Sequence, residues 1–346
     1  MKRSALAATV AVAAVVVLTP SLAASAAPSN QPHTLPQQVS APYLDVTSVP
    51  SIAAVSAESG AKYLSLAFLQ TDAPGSCSLY WAGQSSLSVA SDALGTDIAK
   101  IQNAGGDVIP SFGGYTADTT NTEIAQSCTD VSAIARAYEQ VFTTYKVTRL
   151  DFDVEADAIN DTAANDRRNA AIVEVEKWGA ATHHAVSFSY TLPSTPNGLA
   201  ASGLAVLQSA ADAGAQIASV NLMTFDYWDG VQHDMTADAE TAVAGLAAQL
   251  QSTLFPDLNA QQLARHEGVI QMIGIDDFGP TETFTVAQAK QFESWAASKH
   301  LAYIGFWAVN RDHGTCVGQA GGYACSGVAQ NDWDFTRAFA PFTTGA

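Results

Sequence analysis

Short runs of apolar and β-branched residues recur along this chain, and most are followed by a longer segment with helical spacing. Eight of these runs are candidate strands: 43–48, 63–69, 107–112, 149–155, 185–190, 219–225, 269–275 and 304–309. Strands that alternate with helices indicate βαβ units and a parallel sheet. Eight of them without a long interruption predict an α/β protein with one closed (β/α)8 TIM barrel. A doubly wound open sheet is the alternative.

The segments between the strands carry helix signals. Candidate helices are 88–103, 130–145, 163–182, 199–213, 236–252, 286–300 and 333–340. Thr129 or Asp130 is a candidate N-cap, and so is Thr285, because their side-chain oxygens can accept the first free N–H groups of a helix. The pair Gly105-Gly106 is a stop signal for the first candidate helix.

The amino-terminal segment has the features of a secretory signal peptide. Lys2 and Arg3 precede an apolar run over residues 5–18, and Ala24-Ser25-Ala26 supplies a small-residue cleavage site. This pattern predicts a signal peptide over residues 1–26 and a secreted, extracellular protein; a retained anchor is the alternative. Residues 27–40 are polar and rich in proline, which predicts a linker. We expect residues 41–346 to form the barrel domain.

Composition narrows the range of partners. The formal net charge is −18, so nucleic acid and anionic membranes would be repelled, whereas a neutral polymer would not. No pair of cysteines has the C-x-x-C spacing of a zinc site. We therefore expect no bound metal and no nucleic acid or membrane partner. We also expect no cofactor and a monomeric protein.

The most informative stretch is 150–155, Leu-Asp-Phe-Asp-Val-Glu. Successive side chains of a strand point to opposite faces, so Asp151, Asp153 and Glu155 share one face, with neighbours about 6–7 Å apart. Carboxylates placed side by side raise each other's pKa and are costly for stability. The row is therefore a candidate catalytic site, although structural roles for Asp151 and Asp153 are the alternative.

The predicted barrel suggests how the four cysteines pair. Cys77 lies in the loop after the second strand and Cys128 in the loop after the third, and these loops leave the barrel side by side. Cys316 and Cys325 share one glycine-rich loop after the eighth strand. We expect disulfides Cys77–Cys128 and Cys316–Cys325, since export favours disulfides; free thiols are the alternative.

Several motifs in chain order resemble one enzyme family. Asp151-Phe152-Asp153-Val154-Glu155 resembles the D-x-x-D-x-D-x-E motif of the family 18 glycoside hydrolases, the chitinases. Further similar segments are Ser111-Phe112-Gly113-Gly114 at the third strand, Asn221 to Tyr227 at the sixth, and Trp307 at the eighth. Met272-Ile273-Gly274 and Asn310-Arg311-Asp312 are similar to segments of a bacterial and archaeal subgroup.

The resemblance implies a reaction and roles for the carboxyl groups. Glu155 would be the general acid/base, Asp153 would orient the substrate's acetamido N–H, and Asp151 would exchange charge with Asp153. The nucleophile would be the acetamido oxygen of the substrate itself, with retention of configuration. The implied substrate is chitin or another polysaccharide of β-1,4-linked N-acetylglucosamine.

The same resemblance implies residues that bind the sugar. Asp226 would hydrogen-bond the acetamido group, and Trp307 would form the floor under the reacting sugar. The candidate substrate-binding residues are Asp226, Trp307, Met223, Tyr227, Gly113 and Tyr115, of which Tyr115 and Tyr227 are included because they lie just past strand ends. For Asp226 the alternative is a helix or loop cap. Trp228 is a further aromatic residue past a strand end. For Trp307 and Met223 the alternative is ordinary core packing.

Three positions depart from the family pattern. Thr148 stands where the motif has its outermost aspartate, and Arg149 stands at the usual glycine. Phe225 aligns with the tyrosine that donates to the acetamido carbonyl, and it has no hydroxyl. Tyr227 would point the same way as Phe225 if the strand continued that far.

Three other functions remain open. An endo-β-N-acetylglucosaminidase acting on N-glycans would use the same acid. A non-catalytic chitin-binding protein is suggested by Phe225 and opposed by Glu155. An unrelated retaining glycosidase would need a second enzyme carboxyl about 5–5.5 Å from Glu155.

Overall fold

The structure is a computed structural model that describes Met1 and residues 34–344. The expected signal peptide, apart from Met1, and residues 27–33 of the expected linker lie outside the described residues. Residues 34–344 form one compact unit.

A parallel eight-stranded barrel forms the centre of the fold. In chain order, β1 comprises Val39–Ser40 and Tyr43–Asp45, and the next strands are β2 Tyr63–Gln70, β3 Asp107–Gly113, β4 Arg149–Asp153, β5 Ser187–Thr195, β6 Ile217–Met223, β7 Glu267–Met272 and β8 Tyr303–Trp307. Each strand from β2 to β8 pairs in parallel with the next. The predicted TIM barrel is confirmed.

The barrel closes through β1, whose two pieces serve different neighbours. Val39–Ser40 pairs with β8, whereas Tyr43–Asp45 pairs with β2. Val39 and Ser40, the last two residues of the expected linker, are therefore part of the barrel sheet. A strand of two residues is too short to show an alternating pattern in the sequence. It forms because its backbone pairs with the edge of β8.

Helices connect the strands around the outside of the barrel. Their bounds are Ile52–Ser59, Gly95–Asn103, Gly114–Thr120, Ile124–Ser127, Val131–Tyr145, Thr162–Thr182, Ala201–Ala213, Met235–Ser252, Ala260–Leu263, Val286–Lys299, Asp334–Phe339 and Pro341–Thr344. Asp130 and Thr285 are N-caps, as predicted, and Thr285 forms a full capping box with Gln288.

Several predicted boundaries differ from the structure. The helix expected from residue 88 begins only at Gly95, after two short 3-10 turns. The strand expected over 269–275 ends at Met272, and a separate antiparallel hairpin follows, built from Gly274–Asp276 and Gly279–Phe284. This hairpin stands at the carboxyl end of the barrel, where it supports the loop that follows β6.

The main core lies between the barrel and the helices. The outward side chains of β4, Leu150 and Phe152, are fully buried there, and the ring of Phe152 contacts Phe112, Tyr138 and Phe188. Outward apolar packing fixes the register of β4. The carboxyl row of the same strand consequently faces the barrel interior.

Both expected disulfides are present. Cys77 bonds to Cys128 and Cys316 bonds to Cys325. The first joins the loop after β2 to the region after β3, and the second closes the loop after β8. Among residues 34–344, no helix combines the length and apolar character needed to cross a membrane.

Candidate active site

Asp151 lies inside the barrel within a shell of hydrogen-bond donors. Five side chains from four strands donate to its carboxyl oxygens at 2.6–3.5 Å: Tyr43, Ser111, Ser189, Thr191 and Asn221. Burial raises the pKa of Asp151, and the bonds from Ser189, Tyr43, Ser111 and Thr191 oppose that rise. Asp151 is thus the member of the row best equipped to hold a negative charge.

Asp153 is also buried, but it is far less well satisfied. Its Oδ1 atom has no hydrogen-bond partner among the described residues. Burial raises the pKa of Asp153 well above its ordinary value, and the charges of Glu155 and Asp151 raise it further. A buried carboxyl between two others favours its protonated form.

Glu155 follows β4 at the carboxyl end of the barrel, where active sites of this fold lie. Its side chain is half-buried. Burial raises the pKa of Glu155 to about 7, while a backbone hydrogen bond from Tyr115 works in the opposite direction. Glu155 therefore keeps its proton in weakly acidic solution and can release it near neutrality.

Asp118 is a fourth carboxyl group beside this row, and no sequence motif indicated it. It is fully buried in the helix Gly114–Thr120, and its Oδ2 accepts the main-chain N–H of Glu155 at 2.6 Å. Burial raises the pKa of Asp118 to about 9, with further contributions from Glu123 and Glu155. Arg168, which forms a buried ion pair with Glu123 at 2.9 Å, opposes the rise.

Two glycines allow the third strand to pass close to the site. Gly113 has a φ of 91°, and a Cβ atom there would lie 2.1 Å from the carbonyl oxygen of Asp153. Gly114 has a φ of 79°, and its Cβ would lie 2.5 Å from the ring of Phe68. Gly113 therefore contributes a close backbone approach beside Asp153.

An aromatic group borders the row at the ends of β1, β2 and β8. Trp307 stacks on Phe68 with ring centroids 5.8 Å apart and an interplanar angle of 9°, and both rings contact Tyr43. Trp307 is half-buried. The hydroxyl of Tyr43 reaches Asp151 at 2.7 Å, which links this group to the carboxyl row.

Asp226, in the loop after β6, also lies at the site. Its Oδ1 atom has no partner within the described part of the chain. Burial raises the pKa of Asp226 to about 8, and the neighbouring carboxyls Asp276, Asp277, Glu282 and Glu155 add to the rise. The interaction with Glu155 shows that residues expected from two separate motifs converge in space.

The loop after β6 does not continue the strand. Strand β6 ends at Met223, and the main chain has positive φ angles of 56° at Asp226 and 62° at Trp228. Tyr227 was expected to point the same way as Phe225 only if the strand continued to it, and that condition is not met because β6 ends at Met223. Tyr227 instead packs on His233 with ring centroids 4.9 Å apart, and its buried hydroxyl has no partner among the described residues.

The remaining predicted residues differ in exposure. Tyr115 and Trp228 are each 67% exposed, so both rings are open to a ligand. Met223 is half-buried and packs against the core, while Phe225 is buried. Within residues 34–344, no group of three or more His, Cys, Asp or Glu side chains is arranged to hold a metal ion.

Comparisons with known proteins agree with this geometry. No protein-family model matches the chain. It is 29% identical over 329 residues to a probable bifunctional chitinase/lysozyme of Escherichia coli (strain K12), a match that covers 89% of this chain and 35% of that protein. It is 29% identical over 288 residues to endochitinase 11 of Metarhizium anisopliae, covering 80% of this chain and 53% of the relative. The chain thus spans about a third and about half of these relatives.

Solved structures match over almost the whole described chain. The catalytic domain of a hyperthermophilic chitinase from Pyrococcus furiosus is 27% identical with a TM-score of 0.77, covering 90% of this chain and 97% of that one. Active-site mutants of active domain 2 of that organism's thermostable chitinase, complexed with chito-oligosaccharides, are 26% identical with a TM-score of 0.78, covering 90% and 96%. In sequence and fold the chain is similar to these chitinases, which supports its resemblance to the family 18 glycoside hydrolases.

Proposed function

We propose that this protein is a secreted glycoside hydrolase that cleaves β-1,4-linked N-acetylglucosamine polymers, with Glu155 as general acid/base. The observation that carries the proposal is the position of Glu155 past the end of β4, where its pKa is raised to about 7 and it interacts with Asp226. The relatives named chitinase support the same substrate class.

In the first step, Glu155 transfers its proton to the glycosidic oxygen as the bond from that oxygen to the sugar C1 breaks. The acetamido carbonyl oxygen of the same sugar forms the new bond to C1 and gives an oxazolinium ion. In the second step, Glu155 takes a proton from water, whose oxygen attacks C1 and reopens the ring. Two displacements at one carbon retain its configuration.

The two aspartates have separate parts in this mechanism. The acetamido N–H becomes more acidic as the oxazolinium ion forms, and the unpartnered Oδ1 of Asp153 supplies an acceptor for it. Asp151, with its five donor side chains, holds charge beneath Asp153. Asp226, which also has a free oxygen, is the proposed second contact of the acetamido group.

The proposal is tested with Glu155→Gln on chitin oligomers. Loss of the general acid should lower kcat at least about 100-fold, while oligomer binding persists. A thiazoline mimic of the oxazolinium ion should inhibit the wild-type enzyme. Unchanged turnover in the variant would refute the role of Glu155, and indifference to the thiazoline would favour an enzyme nucleophile.

The polymer itself is identified by product analysis. Chitin oligomers and an N-glycosylated protein are offered to the same enzyme preparation. Release of N-acetylglucosamine oligomers from the first, with an intact glycan on the second, is the expected result. The reverse would identify an endo-β-N-acetylglucosaminidase.

Export is part of the same proposal, and the two disulfides support it, because such bonds persist in oxidising compartments. Expression of the whole chain in a secreting host should yield extracellular protein. Its first residue should lie close to Ala26, as read by amino-terminal sequencing. Protein that stays in the cell with an intact terminus would contradict export.

A further inference from the structure

The side chain of His233 lies between two carboxylates at the end of the loop that follows β6. Its Nδ1 is 2.6 Å from Oδ2 of Asp238, and its Nε2 is 2.9 Å from Oδ1 of Asp229. A neutral imidazole carries one N–H, whereas the imidazolium carries two. Since both ring nitrogens face acceptors, the geometry fits the charged ring, which donates to each carboxylate.

The charges around the ring favour the same form. Burial lowers the pKa of His233, but the hydrogen bonds to Asp229 and Asp238 and their negative charges outweigh burial and raise that pKa above its ordinary value of 6.5. Asp234, the next residue along the chain, adds a third carboxyl group nearby. Three acidic groups thus lie close to one side chain that can carry a positive charge.

His233 joins three parts of the structure. Asp229 belongs to the loop after β6, and Asp238 belongs to the first turn of the helix Met235–Ser252. The main-chain N–H of His233 also donates to the carbonyl oxygen of Thr281 at 2.9 Å, in the hairpin after β7. The charged ring therefore ties the loop to the helix beside the point where the loop is bonded to the hairpin.

This junction lies against the part of the loop that carries Asp226. The ring of His233 packs on the ring of Tyr227, with centroids 4.9 Å apart. Tyr227 directly follows Asp226, and its main-chain N–H donates to the Glu282 carboxylate of the hairpin at 2.9 Å. Burial raises the pKa of Tyr227, so its phenol is neutral. Residues 224–234 form no helix or strand, so side-chain contacts of this kind set where Asp226 lies.

Loss of the proton from His233 would break the junction. The neutral ring has one N–H left, so one of the two carboxylates would face a nitrogen lone pair at less than 3 Å and that contact must open. Because the pKa of His233 is raised in the folded protein, the junction is complete below about pH 6.5 and is lost as the pH rises through the folded value.

We propose that His233, as an imidazolium, is a positioning residue for the reaction: it holds the loop after β6 so that Asp226 meets the acetamido group of the reacting sugar. The inference rests on the proposed function and assigns a part in it to a side chain that acts through Asp226. The placement of Asp226 then depends on the charge of a group outside the carboxyl row.

The first test is a double-mutant cycle at pH 5, where Glu155 and His233 both carry their protons. His233→Gln removes the charge but keeps hydrogen-bonding groups, and it should lower kcat/KM for chitin oligomers about tenfold. In an Asp226→Ala background the same substitution should change kcat/KM by less than about twofold, because the side chain that it positions is gone. Equal losses in the two backgrounds, or no loss in either, would overturn the positioning role.

The second test does not depend on activity. The ring of His233 should titrate with a pKa above 6.5, measured by NMR of the histidine side chains. Amide protection of residues 226–234 in hydrogen exchange, corrected for the intrinsic rate, should fall between pH 5 and pH 8 in the wild type. In His233→Gln it should be low at both. A pKa at or below 6.5, or equal protection in the two proteins at pH 5, would contradict the proposal.

His184→Gln is the matched control. His184 is exposed before β5 and contacts Thr182 and Trp178, so the same substitution there should keep kcat/KM within about twofold and leave the protection of the loop unchanged. Wild-type cleavage without a difference between the two backgrounds overturns the positioning role alone. A wild-type protein that cuts no oligomer overturns the proposed function and the positioning role with it, whereas the titration and exchange data still decide whether the charged ring holds the loop.

Discussion

The carboxylate of Asp118 accepts a hydrogen bond from the main-chain N–H of Glu155 over 2.6 Å. The candidate acid is therefore held through its own backbone by a second carboxyl group, which lies on the helix that follows β3. Burial and neighbouring charge raise the pKa of Asp118 to about 9. Below that pH, Asp118 can accept the N–H without placing a second negative charge beside Glu155.

Replacement of Asp118 by alanine should lower kcat with little change in KM. The N–H of Glu155 would lose its buried partner, which costs about 1–3 kcal/mol, and the acid would leave its working position. We expect kcat to fall about 10- to 100-fold, as measured by initial rates on chitin oligomers. Asp118→Asn keeps an acceptor oxygen and should restore most of the activity.

Asp130→Ala serves as the control for lost stability. Asp130 caps the helix Val131–Tyr145 through the N–H of Ala133, so this variant should lower the melting temperature and leave kcat intact. Asp118→Asn should also leave the alkaline limb of the pH profile in place. A shift of that limb by a full pH unit would mean that Asp118 is ionised at neutral pH and would contradict the assignment.

The rate should depend on pH through the proton of Glu155. Since the acid must be protonated to act, and its pKa is raised to about 7, kcat/KM should be high in weakly acidic solution. It should fall about tenfold per pH unit well above 7. A rate profile from pH 4 to 9 checks this. An alkaline limb near pH 4.5, the ordinary value for glutamate, would show that burial does not act on Glu155.

Protein stability should fall as the pH rises. The pKa values of Asp118, Asp226 and Asp276 are raised from 3.8 to about 9, 8 and 7. The folded protein thus holds protons that the unfolded chain has released, and the free energy of unfolding decreases from about pH 4 up to each folded pKa. Between those pH values, each group lowers the free energy of unfolding by up to about 1.4 kcal/mol per pH unit.

Thermal denaturation at several pH values measures this effect. We expect the melting temperature to be higher at pH 5 than at pH 9. Asp226→Asn removes one raised carboxyl and should flatten the dependence between those values. A melting temperature that climbs steadily from pH 5 to pH 9 would contradict the buried, protonated state of these groups.

The two disulfides should differ in their contribution to stability. Cys77 and Cys128 are separated by 51 residues and Cys316 and Cys325 by 9. By the loss of loop entropy in the unfolded chain, the long-range bond should contribute about 4 kcal/mol and the short one about 2.5 kcal/mol. The serine pairs Cys77→Ser/Cys128→Ser and Cys316→Ser/Cys325→Ser should show that order in chemical denaturation. The reverse order would contradict the entropic account.

The barrel and the carboxyl row were predictable because both depend on local patterns. The alternation Leu150, Asp151, Phe152, Asp153 is readable in a few residues, and burial of Phe152 outside the barrel leaves the aspartates no other direction. The caps at Asp130 and Thr285 were found in the same way. Each needs only neighbours in sequence and the geometry of one strand or helix turn.

Asp118 and the hairpin carboxyls were not predictable in this way. Asp118 stands in an ordinary polar segment, and its role depends on a contact with Glu155, 37 residues away. The loop after β6 is set by Glu282, which lies 55 residues after Tyr227. A pattern within one segment carries no information about such a contact. The sequence therefore could not show that β6 ends at Met223, before Phe225 and Tyr227.

The sequence by itself determined the alternating barrel, the face on which Asp151, Asp153 and Glu155 lie, and the pairing expected of the cysteines. Those properties follow from side-chain period, capping chemistry and chain order. Only the tertiary structure decided which buried carboxyls neighbour Glu155, how their pKa values rise together, and how Glu282 fixes the loop after β6. Desolvation and Coulomb interaction depend on distance in space, and closure of the barrel brings distant segments within that distance.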